Sequence, residues 1–297
     1  MPIQVTRMTE ADIDGAVTTI QEAFANDPYN HWVFPDRSKI SLVRNRLSLS
    51  LRCRWGIQHG LFHVARDTSD PTKILGCAMW LPPHPTSEPE SWSLYLSYWY
   101  LWFNQIRMNL WYGRGGLSKT RYWIWKARQA EAQKELWTDP KGYYFCNIVT
   151  VLPEAQGKGV GRALMEEVLG MADREGKKCY LEASRREPNV AIYGRFGFRL
   201  VREMECREGD GEKDAITLYC MMRDPKGVQS GETSGEGNNN VEETAGTTPE
   251  IGQSTNCLIS HSAALPGPSS QSTPCQPSNT LFAASSLPSL SNTSTIT

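Results

Sequence analysis

The sequence predicts an α/β chain: a mixed sheet with helices on both faces, an aromatic-rich helical insertion and a disordered C-terminal tail. Three observations carry this expectation. Short apolar runs of strand length alternate with segments whose apolar residues recur every three or four positions. One such run, Tyr143 to Val151, stops before Pro153 and is followed by a glycine-rich turn that opens a helical repeat. From about Lys226 the chain is dominated by Ser, Thr, Gly, Asn and Pro, with few large apolar residues and no period. Such a segment cannot bury enough apolar surface to offset its ordering entropy. The expected division is a domain over 1–225, with the aromatic segment at about 88–140, and a disordered tail over 226–297.

In chain order, Ile3 to Arg7 alternate as a first strand. Thr9 stands three before Asp12, a capping-box spacing, and Ile13, Ala16, Val17, Ile20, Ala23 and Phe24 recur at helical intervals. Asn26-Asp27-Pro28 ends that helix, PYNHWVFPDR reads as a loop, and a second helix is expected from Ser38 to Gly56. Leu61 to Ala65 and Lys73 to Leu81 read as a pair of strands around the polar turn RDTSDP, and Pro82-Pro83-His84-Pro85 breaks the structure.

From Ser91 to Trp137 there are seven tryptophans, interleaved with Tyr95, Tyr98, Tyr100, Tyr112 and Tyr122. SWSLYLSYWYLWFNQI is too short and too polar to cross a bilayer, which takes about 20 mostly apolar residues. Three readings stand: two aromatic helices packed on the core, a substrate-pocket wall or lid, and an interfacial membrane helix flanked by Arg107, Arg114, Lys119 and Arg121. Beyond the glycine turn, Ala163, Leu164, Val168, Leu169 and Ala172 keep helical spacing to Glu175-Gly176. Cys179 to Ala183 is a short strand, Pro188 to Arg195 a short helix, and Leu200 to Cys206 with Ala215 to Met222 a closing hairpin.

Formal charge is −1, so no whole-chain attraction to nucleic acid is expected. The eight cysteines include no C-x-x-C pair and read as reduced thiols, not a disulfide framework or a zinc site. The N-terminus has no apolar signal region, and a cytoplasmic location is the default expectation. No metal cluster is visible in the residue spacing.

The glycine turn, Gln156-Gly157-Lys158-Gly159-Val160-Gly161, has two readings: a loop that holds phosphate and an ordinary surface turn with spare glycines. Loop N–H groups point into one concavity, and the helix N-terminus adds a partial positive charge. It is neither of two familiar nucleotide loops. A dinucleotide fingerprint needs glycine where Arg162 stands, and a P-loop needs a closing Gly-Lys-Ser/Thr.

These residues resemble the GNAT superfamily of acetyl-CoA-dependent N-acyltransferases, whose hallmark Q/R-x-x-G-x-G/A follows a strand and precedes a helix. The opening VTRMTEADIDGAV, the strand CYLEAS and the segment NVAIYGRFGF match the family's first helix, fifth strand and last motif. With AFANDP, the set looks most like the puromycin N-acetyltransferase-like branch. The resemblance spans roughly residues 1 to 225. It implies a mostly antiparallel twisted sheet, acetyl-CoA as co-substrate and no metal.

It further implies that the backbones of Gly157, Lys158, Gly159, Val160, Gly161 and Arg162 hold the pyrophosphate of coenzyme A. Pantetheine would lie along Val149, Thr150 and Val151, with the Val151 amide polarising the thioester carbonyl. Tyr193 matches the family's tyrosine that protonates the leaving thiolate, and a neutral phenol can do so without first being ionised. Asn189, on the same helix face, matches the asparagine that contacts the coenzyme. Glu182 matches the branch's candidate general base, with a solvent-facing strand carboxylate as the alternative. Glu154, beside the loop, would repel phosphate and reads as solvated.

The expected activity is transfer of an acetyl group to a primary amine of a small molecule, directly within a ternary complex. Two alternatives are a protein or peptide N-acetyltransferase and a non-catalytic acyl-CoA-binding regulatory module. A membrane-surface protein organised by the aromatic helices is a further one. The expected partners are the small amine and acetyl-CoA, with no nucleic acid and no transmembrane segment. The oligomeric state stays open, a homodimer among the alternatives.

Overall fold

The computed structural model describes residues 2–227 apart from Thr86 and Glu90; the tail expected to be disordered therefore lies almost wholly outside the described residues, as do Cys257 and Cys275. Seven strands form one sheet: β1 (Ile3–Arg7), β2 (Leu61–Asp67), β3 (Asp70–Leu81), β4 (Tyr143–Val151), β5 (Lys178–Ala183), β6 (Arg199–Arg207) and β7 (Ala215–Arg223). The spatial order is β1-β2-β3-β4-β5-β7-β6. Every neighbouring pair is antiparallel except β4 with β5. β4 sits centrally and all nine of its residues are buried, as its unbroken apolar run requires of a strand covered on both faces.

The long helices are α1 (Ile13–Ala23), α3 (Leu42–His59), α4 (Trp92–Tyr112), α5 (Lys119–Leu136) and α6 (Val160–Glu175), with short α2 (Pro28–Val33) and α7 (Asn189–Gly194). α6 and α7 cover one face, packing on Ala78, Val149, Leu181 and Met221. α1 and α3 cover the other face at β2 and β3, while α2 and α5 cover it at β5, β6 and β7. Gly76 on β3 permits the close seat of α6: a Cβ there would stand 2.6 Å from the Thr150 carbonyl and 3.0 Å from Val160.

Several elements differ from expectation for local reasons. PYNHWV is a helix, not a loop. Asp27 caps it by accepting from the Asn30 amide at 3.2 Å, and Pro28 occupies the first turn where its missing N–H is no loss. The helix expected from Ser38 starts after Ser41, whose hydroxyl accepts from the Arg44 amide at 3.2 Å. The β2–β3 turn is tighter than RDTSDP suggested, because Asp67 and Asp70 themselves pair and only Thr68 and Ser69 turn. The Thr9–Asp12 capping box is present, with the Thr9 amide and hydroxyl both 2.8 Å from the Asp12 carboxylate. Among the described residues no helix is long and apolar enough to cross a membrane.

Candidate functional site

The site begins where the sheet comes apart. β4 and β5 pair over only four positions, from Tyr143↔Lys178 to Cys146↔Leu181. β4 then continues to Val151 with β3 alone on its other side, and β5 continues to Ala183 with β7 alone. A shift in the β3–β4 register after Met79 leaves Asn147 as the extra residue at that point, a bulge that bends the strand. The facing edges beyond Cys146 and Leu181 are unpaired with one another and bound a gap.

On the α6 face this gap opens into a cavity of about 700 Å³. Gly157, Gly159, Gly161 and Arg162 form one end of its wall, with Val149 and Val151 along the strand and Tyr193 opposite. Gly157 and Gly159 have φ of 72° and 86°, the left-handed region that favours glycine. These two turns aim the loop backbone and the start of α6 at the same space. A Cβ on Gly159 would meet only Ile3, at 3.8 Å, so the protein leaves the volume above the loop to something else.

The other expected coenzyme residues separate. Thr150 is buried on the opposite face, its hydroxyl 3.2 Å from the Cys77 sulfur, so only its backbone is available to the cavity side. Lys158 is exposed and outside the wall, and Asn189 is buried inside its helix and also outside it. The Arg162 side chain pairs with Glu166 one turn on, at 2.7 Å. Glu154 is exposed, as expected, and its carboxylate pairs with Lys73 at 3.1 Å.

Three cations of the wall were not anticipated. Arg195, Arg223 and Lys226 come from segments more than thirty positions beyond the loop, and no spacing rule links them to it. Arg223 is 2 % exposed; it donates to the Phe196 carbonyl at 2.8 Å and to Asp173 on α6 at 2.7 Å. The other Asp173 oxygen accepts from the Lys226 amide at 2.7 Å. Desolvation pushes the Asp173 carboxyl upward, yet these bonds outweigh it and hold it below its ordinary value. One carboxylate thus fixes the end of β7 against α6.

Tyr193 and Glu182 stand on opposite faces of the sheet. Tyr193 is fully buried beside Phe198, ring centres 6.2 Å apart, within the cluster under α6 and α7. Along β5, Cys179, Leu181 and Ala183 share that face, so alternation turns Tyr180 and Glu182 the other way. The solvent-facing alternative for Glu182 does not hold: the residue is 1 % exposed. It accepts from Gln129 on α5 at 2.8 Å and from the Tyr180 hydroxyl at 3.1 Å. Burial raises its carboxyl above the ordinary range, against the pull of those two bonds and of the Lys126 ammonium. Burial in turn lowers Lys126 to about 8, and its ammonium donates to Gln129 at 3.0 Å.

A second acid lies at the same end of β5. Asp27, read from sequence as the end of a helix, is fully buried and accepts from the Ser184 hydroxyl just beyond the strand. Burial raises it too. Aromatic residues of α2 and α5 cover this face, with Trp125 edge-on to Tyr29 at 5.1 Å and to Tyr122 at 5.8 Å. The arrangement is a gap with a phosphate-shaped loop and a phenol on one side and two desolvated carboxyls on the other.

Comparison with known proteins gives the same region. The family model for an acetyltransferase (GNAT) domain matches residues 119–200. An uncharacterised N-acetyltransferase of Schizosaccharomyces pombe is 30 % identical over 141 residues, 45 % of this chain and 54 % of that protein. The chain therefore spans about half the length of this curated relative. Among solved structures, the histone acetyltransferase HPA2 and related acetyltransferase from Corynebacterium glutamicum is 22 % identical, covering 77 % of this chain and 99 % of that one, TM-score 0.49. A GNAT superfamily phosphinothricin acetyltransferase from Sinorhizobium meliloti, solved with AcCoA, is 16 % identical, covering 79 % and 95 %, TM-score 0.43.

Proposed function

Starting from a chain that carries a GNAT acetyltransferase domain, we propose that it transfers the acetyl group of acetyl-CoA to the primary amine of a small molecule. The observation that carries this reading is the single cavity walled at once by the glycine loop, the start of α6, the free edge of β4 and Tyr193. Coenzyme A matches these parts in order. Its pyrophosphate takes the loop N–H groups and the positive end of α6. The two amides of pantetheine complete the β4 edge at Val149 and Val151, where β5 has withdrawn, as an added strand would. Arg195 and Lys226, at the rim, supply cations for the remaining phosphate.

The acceptor arrives through the α5 face, so the two substrates meet in the gap between β4 and β5 without sharing a path. The neutral amine nitrogen attacks the thioester carbon, whose oxygen is polarised by the Val151 amide. The C–S bond breaks, and the departing thiolate takes the Tyr193 hydroxyl proton. The proton released by the amine passes to Glu182, directly or through water, with Asp27 as the nearest other carboxyl of the strand end. A carboxylate whose affinity for protons is raised by burial is the better base near neutrality, since its pKa moves toward the operating pH. Direct transfer in a ternary complex follows, with no covalent enzyme intermediate.

The test is thiol release from acetyl-CoA against a panel of amines and cleaved-type peptides. Tyr193→Phe is expected to lower kcat by about a hundredfold with little change in the affinity for acetyl-CoA. Glu182→Gln is expected to remove the acidic limb of the kcat/KM profile. Wild-type turnover by Tyr193→Phe at every pH overturns the acid role, and release with peptides but no small amine overturns the acceptor class.

A further inference from the structure

Eleven large apolar side chains stand exposed among the described residues, and all of them lie on α3 or α4. The extremes are Trp92 at 79 %, Leu110 at 80 % and Trp111 at 81 % exposed. The two helices run antiparallel and share one polar seam. Arg44 donates to Asn109 at 2.7 Å, the Ser48 hydroxyl to Gln105 at 2.9 Å, and the Trp55 indole to Ser97 at 3.1 Å. The buried residues of α4 are Asn104, Gln105 and Met108, while eight of its large apolar residues stand exposed. Trp92, Leu96, Phe103, Arg107 and Leu110 follow one another at helical steps along a single face about 27 Å long. A ladder of edge-on rings, Trp92–Tyr95–Trp99–Trp102, borders it.

Neither α3 nor α4 contains an Asp or Glu. No Asp or Glu occurs between Glu90 and Glu131, where there are six Lys and Arg, nor between Asp36 and Asp67, where there are seven. Arg54, Arg107, Arg114 and Lys119 are exposed. A second copy docked two-fold on this face would bring together two α3–α4 surfaces that carry arginines and no carboxylate. The stretch after Lys226 carries five glutamates and no Lys or Arg, so it matches the charge, but it has few large apolar residues to cover the aromatics. A lipid surface matches both. Indole and phenol rings settle at the depth of the headgroups, with an apolar body and a polar edge, and anionic headgroups attract the arginines.

We propose that the α3–α4 face rests on an anionic lipid bilayer, with α4 lying in the plane of the headgroups. α4 lies on the membrane and does not cross it. The surface contributes no residue to the acetyl-CoA cavity, so the proposal stands apart from the catalytic reading.

Flotation of the full chain with vesicles of phosphatidylcholine, with and without phosphatidylserine, tests it. The chain is expected to float with the serine-containing vesicles and to be released by salt, with a blue shift of tryptophan emission. Arg107→Glu/Arg114→Glu is expected to weaken this binding by about tenfold or more, and Trp92→Ser/Trp111→Ser to abolish the emission shift. Unchanged affinity for acetyl-CoA and unchanged circular dichroism separate these effects from misfolding. Absence of flotation with the serine-containing vesicles overturns the proposal. So do equal flotation by the charge-reversed chain, lipid-independent dimerisation lost in Trp111→Ser, and a glutamate-rich peptide binding this face while vesicles do not.

Discussion

Helices α6 and α4 bury opposite chemistries. α6 turns Val160, Leu164, Met165, Val168, Leu169 and Ala172 to the sheet and leaves Glu166 and Glu167 outside. α4 turns Asn104 and Gln105 inward and leaves most of its aromatics in the open. The first pattern is what a sheet demands of a covering helix, and it ties the glycine loop to a rigid support. The second places a helix against its neighbour by hydrogen bonds and reserves its apolar surface for something outside the fold. Position on the sheet explains α6. The proposed lipid surface accounts for α4.

The contrast can be broken at the loop first. Gly159→Glu forces a side chain into φ of 86° and sets a carboxylate where phosphate is expected. Loss of acetyl-CoA affinity by more than about a hundredfold is expected in calorimetry, with only about 1–2 kcal/mol of stability lost, because no protein atom lies within 3.5 Å of the new Cβ. Unchanged affinity removes the loop from the coenzyme site.

Behind α6, Asp173→Asn strands the buried Arg223 and is expected to cost about 2–3 kcal/mol, read from urea midpoints. The sign with pH follows from its lowered carboxyl. Stability from Asp173 is present above the unfolded value and is lost as pH falls through the lower folded one, so the variant should melt with a shallower loss of stability below about pH 4.

On α4 the sides exchange importance. Gln105→Leu, which leaves the Ser48 hydroxyl and carbonyl without their partner, should cost about 1–2 kcal/mol. Trp111→Ser on the exposed side should change stability by no more than about 0.5 kcal/mol. A larger loss from Trp111 than from Gln105 would mean that α4 is an ordinary core helix. Smallest of all is removal of the chain after Gly227. Melting temperature and acetyl-CoA affinity should both stay at the full-length values.

The legible parts of the fold were local ones. The strand ending at Pro153, the glycines at 157 and 159 and the repeat from Leu164 sit next to one another, and their chemistry is complete within twenty residues. α2 was missed because six residues give no periodic signal and its cap, Asp27, looks like a helix end. The orientation of α4 was hidden for the opposite reason: where nearly every residue is apolar, no period can say which side is buried. In the site, Tyr193 came from a motif and duly lines the cavity, whereas Arg223 and Lys226 reach it through Asp173, a contact across fifty positions. Burial of Glu182 depends on Gln129 from α5, equally remote in sequence.

The bond from the Lys226 amide to Asp173 has a consequence for whatever follows it. The polypeptide departs from the rim of the cavity itself. A group fused directly after Gly227 would be held there at an effective concentration in about the millimolar range, set by the length of its linker. A weakly binding group fused at this point would compete with free ligand at the mouth of the cavity.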